Sequence, residues 1–271
     1  MPKTDSSYVL ATDGLIGIKK YFLYGMLAML PIIVLALMSS FVGITGATIV
    51  DSVYGGPTLY ILIIITIILI AALVFAALSL LGLLFGLRDI RRSNLKSADL
   101  YSGASRNLRR IAISILILIA LYYVLLIFAL ISSGTGGTSV FVISFIFEII
   151  LLAMAILFAI KLASVYKNLS KDIPQQRFNT SATLLIVSVI INTAAEIVTL
   201  ISTALSAPQN NLYISQGLST SQNPVALVIN IIFLIEYILL TLHFYFGYSA
   251  SKNALTKLSR NIGIPAVQPP K

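Results

Sequence analysis

The sequence predicts an all-α integral membrane protein in which six transmembrane helices form three helical hairpins. Two observations lead to this prediction. Of the 271 residues, 58% are hydrophobic and only 10% are charged, whereas a soluble domain carries about a quarter charged residues. The apolar residues also gather in long stretches, and a helix needs roughly 20 such residues to cross the hydrocarbon core of a bilayer.

Six apolar stretches are the predicted spans. They are residues 21–42, 58–87, 108–131, 139–162, 181–205 and 224–248. The second stretch is long for an upright span, so we expect it to tilt or to continue as helix into the cytoplasm. Strands are excluded because the alternating segments of about ten residues that are typical of membrane barrels are missing. Helices satisfy their own backbone groups, which are costly to leave unpaired in lipid.

The basic residues predict the orientation of the spans. All 18 lysines and arginines fall in four regions, which are 1–20, 88–110, 161–179 and 249–271. Cytoplasmic loops of membrane proteins are enriched in Lys and Arg, and six alternating spans place all four regions on one side. We therefore expect a cytoplasmic N-terminal tail at 1–20, a transmembrane domain at 21–248 and a cytoplasmic C-terminal tail at 249–271, in a plasma membrane.

The composition also excludes several kinds of chemistry. The chain has no cysteine and a single histidine, His243, so thiolate catalysis, iron–sulfur clusters and cysteine-based zinc sites are excluded. No enzyme motif is present, and we expect no catalytic residue, no metal and no cofactor. The net charge of +9 is explained by orientation signals rather than by nucleic acid. The expected partner is the lipid bilayer, with a homo-oligomer or a larger membrane complex as open alternatives.

Three glutamates lie inside predicted spans, where a charged side chain is expensive and commonly functional. Glu148, Glu196 and Glu236 belong to the fourth, fifth and sixth spans. Counted from the outer ends of the spans, all three lie roughly 13–18 Å below the outer surface. Carboxylates that converge at one depth cannot all ionise in a low dielectric, so they would share protons or a cation.

Other polar residues accompany these glutamates. Asn192 lies on the same helical face as Glu196, His243 follows Glu236 by seven residues, and Tyr122 and Tyr123 have a similar depth on the third span. We expect the third to sixth helices to enclose a polar interior and the first two to be more peripheral. The alternative interpretation is structural, because polar side chains also join membrane helices by hydrogen bonds.

Gly82 and Gly86 form a small-xxx-small pair on the second span. Such pairs allow two helices to approach closely, either within one chain or between two copies. We therefore predict a helix-packing role for both glycines.

The segment DGLIGIKKYFLYGMLAML, followed by Ile/Leu/Tyr-rich spans without Cys or Trp, resembles an uncharacterised family of multi-pass membrane proteins from thermoacidophilic archaea. The resemblance covers most of the chain and implies an archaeal plasma membrane. It implies no activity and no functional residues.

Three functional hypotheses follow from the sequence. The first is a small proton- or cation-linked transporter that uses the intramembrane glutamates. The second is a non-catalytic scaffold or accessory subunit of a larger membrane complex. The third is a membrane enzyme that acts on lipid, which would need a cleft beside His243.

Overall fold

The computed structural model describes residues 6–45, 57–93, 103, 106–115, 117–118, 121, 137–206 and 224–261. All regular secondary structure in this part of the chain is helical, which confirms the predicted all-α class. The helices are α1 (Ser6–Thr45), α2 (Pro57–Arg91), α4 (Gly137–Asp172), α5 (Gln176–Ser206) and α6 (Pro224–Asn261), and α3 is the name we give to helical residues 106–115. Five of them, all except α3, contain a stretch that is long and apolar enough to cross a membrane.

The helices extend beyond the predicted spans. α1 has 40 residues and includes residues 6–20, which the sequence predicted as a tail, and α6 continues to Asn261. Pro57 and Pro224 each begin a helix, where the missing N–H of proline costs nothing. α2 ends with Arg88 and Arg91 in its last turn, which complement the helix dipole, and Ser93 Oγ donates to the Ile90 carbonyl at 2.6 Å.

Neighbouring helices run antiparallel. α1 packs against α2 and α6, α6 also packs against α5, and α5 packs against α4. Gly14 faces Ile90 and Gly247 faces Phe22, while Arg177 donates to Ser249. These contacts bring the beginnings of α1 and α5 to the same end of the bundle as the ends of α2, α4 and α6. We call this the basic end, because it carries Lys19, Lys20, Arg88, Arg91, Arg92, Lys167, Lys171, Arg177, Lys252 and Lys257.

The best-packed part of the protein is the half nearest to the basic end. Its fully buried side chains form one cluster from all six helices, which includes Leu15, Ile18, Phe22, Leu83, Leu87, Leu108, Leu162, Tyr166, Leu169, Phe178 and Ala250. The opposite half is more open. Ile67 and Ile201 are 60% and 54% exposed there, which is the exposure expected of side chains that contact lipid.

The sequence led us to expect a peripheral first helix, but the structure places this helix inside the bundle. α1 lies between α2 and α6, and Phe22 is fully buried in the core cluster. The expectation was wrong because it ranked helices by their polar residues. α1 joins the core through glycines and aromatic rings, which a search for polar residues in apolar spans does not detect.

Candidate functional site

Glu236 is the most deeply buried of the three glutamates. It lies on α6 with 6% of its side chain exposed, and its Oε2 atom has no hydrogen-bond partner among the described residues. A buried carboxyl oxygen without a partner is costly whether the group is charged or neutral. Such an atom favours binding of a proton or a cation.

Glu196 and Glu148 are linked to Glu236 in series. Glu236 interacts electrostatically with Glu196, and Glu196 interacts electrostatically with Glu148. Glu196 and Glu148 are both partly buried, and these three are the only glutamates in the chain. We call them the carboxylate series.

The three carboxylates do not share one depth. Ser181 on α5 contacts His243 on α6, and Glu196 lies fifteen residues from Ser181 whereas Glu236 lies seven residues from His243. At 1.5 Å per residue, Glu196 is therefore about 12 Å farther from the basic end than Glu236. Side chains lean toward the N-terminus of their own helix, so these two carboxylates lean toward each other on antiparallel helices.

Glu148 continues the series away from the basic end. Ser170 Oγ donates to Asn179 Oδ1 at 2.8 Å across the turn between α4 and α5, which sets the register of these two helices. Glu148 is consequently about five residues, or roughly 8 Å, farther along the bundle than Glu196. The series extends along the bundle axis instead of forming a ring across it.

His243 joins α6 to α5 at a fully buried position. Its Nδ1 lies 2.8 Å from the Ser181 carbonyl oxygen and 2.9 Å from Ser181 Oγ, and Ser181 Oγ donates to the His243 carbonyl at 3.0 Å. A neutral ring that donates from Nδ1 leaves Nε2 as an acceptor. This Nε2 has no hydrogen-bond partner among the described residues.

Aromatic rings enclose His243. Its ring centroid lies 5.6 Å from that of Phe22, 5.7 Å from that of Tyr166 and 4.9 Å from that of Phe244. The Tyr166 hydroxyl makes no hydrogen bond of ordinary geometry within the described residues, although it interacts with the hydroxyl of Tyr21. Sequence reasoning missed Tyr21, Phe22, Tyr166 and Ser181, since aromatic and small residues in or beside an apolar span do not stand out as charged residues do.

The polar face of α5 is partly satisfied within its own helix. Ser188 Oγ donates to the Leu185 carbonyl at 2.9 Å and Thr199 Oγ1 donates to the Ala195 carbonyl at 2.9 Å. Asn192 is partly buried on the same helix. Tyr122 and Tyr123 lie outside the described residues. Within the described ranges, no group of three or more acidic or histidine side chains is placed to hold a metal ion.

Gly82 and Gly86 form a close crossing of α2 with α1. A Cβ atom on Gly86 would lie 2.7 Å from both the Gly14 carbonyl oxygen and the Ile18 nitrogen. Gly17 contributes from the α1 side, since a Cβ there would lie 2.6 Å from the Gly86 Cα. Both predicted glycines therefore act in a contact within the chain, and the glycine pair on α1, spaced by three residues, was a signal that the sequence analysis did not use.

Two grooves lie on the surface of the described helices. One of about 460 Å³ lies between α4 and α5 and is lined mainly by apolar side chains, including Phe145, Ile149, Leu152, Ile156, Ile197 and Leu200. The other, of about 340 Å³, lies between α1 and α2 and includes Asp13, Lys20 and Asp89 in its lining. Neither of these two grooves is lined by the carboxylate series or by His243.

The fold defines the chain only as a helical protein with several membrane-length apolar helices. No protein-family model, curated protein or solved structure matches the chain.

Proposed function

We propose that the chain is a small transporter that moves protons or cations along the carboxylate series. The observation that carries this proposal is the buried Oε2 of Glu236, which has no hydrogen-bond partner among the described residues and belongs to a carboxylate that interacts with Glu196. Intramembrane carboxylates with this kind of burial are used in proton relays and cation sites.

The series has a physical reason to pass charge from one member to the next. Neighbouring carboxylates repel each other when both are ionised, so a proton or cation bound at Glu236 makes ionisation of Glu196 easier. The same relation holds between Glu196 and Glu148, which also interact. The estimated offsets of about 12 Å and 8 Å extend the series over roughly two thirds of a 30 Å hydrocarbon core.

The proposal includes six spans, with both termini at the cytoplasmic face of the plasma membrane. Two observations support it. The basic residues collect at the end where α1 begins and α6 ends, as the positive-inside rule predicts for a cytoplasmic face. In addition, α2 ends at the basic end while α4 begins at the opposite end, and Leu108 of α3 is buried in the core near the basic end.

Flux through reconstituted protein tests the transport proposal. The full chain is placed in liposomes that contain a pH-sensitive dye, and a pH or cation gradient is applied. We expect flux above that of protein-free liposomes, and we expect Glu236→Gln to reduce it nearly to their level, because the amide cannot exchange a proton or bind a cation in the same way.

Asp172→Asn is the matched control, because it removes a carboxylate at the basic end of α4, outside the series. It should retain flux, and all variants should elute as the wild-type protein does in detergent. Wild-type flux equal to that of empty liposomes, or full flux through Glu236→Gln, would refute the transport proposal.

The apolar groove between α4 and α5 favours a second candidate, a non-catalytic subunit of a larger membrane complex. Its lining is almost entirely apolar, and Ile197 and Ile201 at its wall are about half exposed. A transmembrane helix from a partner fits such a groove. Purification in mild detergent should then yield a stable partner, and Ile197→Trp should displace it, whereas Val187→Trp, on an exposed part of the same helix outside the groove, should not.

An enzyme that acts on lipid is not proposed. His243 was the residue on which that hypothesis depended, and its ring is enclosed by Phe22, Tyr166 and Phe244. A lipid headgroup would have to displace these rings to reach it.

A further inference from the structure

We propose that the groove between α1 and α2 binds a phospholipid whose headgroup carries a primary amine. The groove measures about 340 Å³ and opens on the surface near the basic end. This inference does not depend on the carboxylate series, since no member of the series lines the groove.

Glycines create the floor of this groove. Gly17, Gly82 and Gly86 line it, and a Cβ on any of them would lie 3.0 Å or less from backbone atoms of the facing helix. The helices therefore touch along their backbones and leave a channel beside the contact. The walls carry apolar side chains, among them Ile16, Leu78, Leu81 and Phe85.

The chemistry of the lining changes along the bundle axis. Tyr24 and Leu78 line the groove farthest from the basic end, Lys20 follows, and Asp13 and Asp89 lie nearest to the basic end. Asp13 and Tyr24 are eleven residues apart on one helix, so the groove is about 16 Å long. Asp13 and Lys20 lie outside the predicted first span of residues 21–42, at the level expected for lipid headgroups, whereas Tyr24 lies within that span.

This order matches the order of groups in an aminophospholipid. The acyl chain would lie against Leu78 and Leu81, and the phosphate would meet Lys20, whose long side chain can direct its ammonium toward the membrane surface. The amine lies beyond the phosphate in such a lipid, at the level of Asp13 and Asp89.

The two carboxylates determine the selectivity that we expect. A primary ammonium has three N–H donors for them, and charge-assisted hydrogen bonds are the stronger kind. A trimethylammonium has no donor, so phosphatidylcholine would keep only the charge attraction. Asp89 already accepts from Arg88 Nε through Oδ1 at 3.0 Å, which leaves Oδ2 and the Asp13 carboxylate to bind the amine.

Lipid retention measures this selectivity directly. The full chain is reconstituted in nanodiscs that contain equal amounts of phosphatidylethanolamine and phosphatidylcholine, extracted into mild detergent and analysed by native mass spectrometry. We expect the wild-type chain to retain phosphatidylethanolamine about tenfold more than phosphatidylcholine, equivalent to about 1.4 kcal/mol. The double variant Asp13→Asn/Asp89→Asn should retain both lipids equally.

Two further variants keep the outcome interpretable. Asp172→Asn removes a carboxylate from the same end of the bundle but outside the groove, and it should retain the wild-type preference. Leu81→Trp fills the groove from an exposed wall position, and it should reduce retention of both lipids.

Equal retention of the two lipids by the wild-type chain would overturn the inference, as would an unchanged preference in the double variant. A dimer whose formation Leu81→Trp prevents would instead assign the groove to a second copy of the chain. A Glu236→Gln variant that loses flux but keeps the lipid preference, or one that keeps flux but loses the preference, would show that the two proposals stand or fall independently.

Discussion

Ser181 and His243 show how a single polar pair fixes the register of two membrane helices. The pair makes reciprocal contacts, in which the histidine ring meets the Ser181 carbonyl and the serine hydroxyl donates to the His243 carbonyl. Sliding α5 along α6 by one residue would break all of these contacts in a fully buried place. This register also sets how far Glu196 lies from Glu236.

Ser181→Ala should destabilise the protein more than Ser188→Ala does. Both serines are fully buried on α5, but within the part of the chain that the structure describes the Ser188 hydroxyl bonds only to the Leu185 carbonyl of its own helix. Hydrogen bonds between membrane helices contribute about 0.6–2 kcal/mol, so Ser181→Ala should cost an amount in this range and Ser188→Ala close to nothing. Equilibrium unfolding in mixed SDS and mild detergent, followed by circular dichroism, measures the difference.

Equal losses in the two serine variants would mean that the Ser181 hydroxyl does not stabilise the contact between α5 and α6, which would then be held by ring packing around His243 and by the bond from His243 Nδ1 to the Ser181 carbonyl. A further check is available in the double variant. Replacing both Ser181 and His243 by apolar residues should cost less than the sum of the single changes, because the contact of 2.9 Å between the Ser181 hydroxyl and the His243 ring is lost in either single change and is therefore counted twice in the sum.

At the residue scale, the sequence identified the three glutamates of the carboxylate series but not where they lie relative to one another. A charged residue in an apolar stretch is visible without a structure, so Glu148, Glu196 and Glu236 were identified from the sequence. Their relative heights depend on register, and residue counts from the ends of hydropathy spans do not give register. The contact of Ser181 with His243 gives the register of α5 and α6, and this contact involves two residues 62 positions apart.

The crossing of α1 and α2 is the element-scale feature with the least tolerance for change. Gly86→Ala should weaken it, because the added Cβ would lie 2.7 Å from backbone atoms of α1 that cannot rotate away. Overpacking of this kind costs about 1–3 kcal/mol. The same unfolding assay measures the loss. Gly103→Ala is the control, since a Cβ there meets nothing within 4 Å, and a loss in the control as large as that of Gly86→Ala would contradict this account.

Hydropathy predicted the existence of the long helices better than their length. α1 and α6 run for 40 and 38 residues, well beyond the roughly 20 that a hydrocarbon core requires. Hydropathy detects the part of a helix that lipid surrounds, whereas a helix continues into water wherever its side chains pack against neighbours. Leu15 of α1 and Ala254 of α6 show this, because both lie outside the predicted spans and both are fully buried in the core cluster.

On the scale of the whole molecule, the basic end and the core coincide. The large fully buried side chains lie toward the basic end, while the carboxylate series leads from the core into the more open half. Lipid chains are as apolar as leucine, so tight packing, more than hydrophobicity, holds membrane helices together. Close glycine contacts at Gly17, Gly82 and Gly86 and aromatic rings around His243 provide this packing at one end. The less tightly packed half is then the one that would rearrange during the proposed transport of a proton or cation.

The six-span topology predicts a specific pattern of chemical labelling. The chain contains no cysteine, so single cysteines can be introduced without a background. In sealed cells, Ser133→Cys between the third and fourth predicted spans should react with a membrane-impermeant maleimide. Gly103→Cys and Asn253→Cys, both exposed near the basic end, should react only after the membrane is permeabilised. If Ser133→Cys and Gly103→Cys become accessible from the same side, residues 104–132 do not cross the membrane, and the proposed placement of both termini in the cytoplasm must be abandoned.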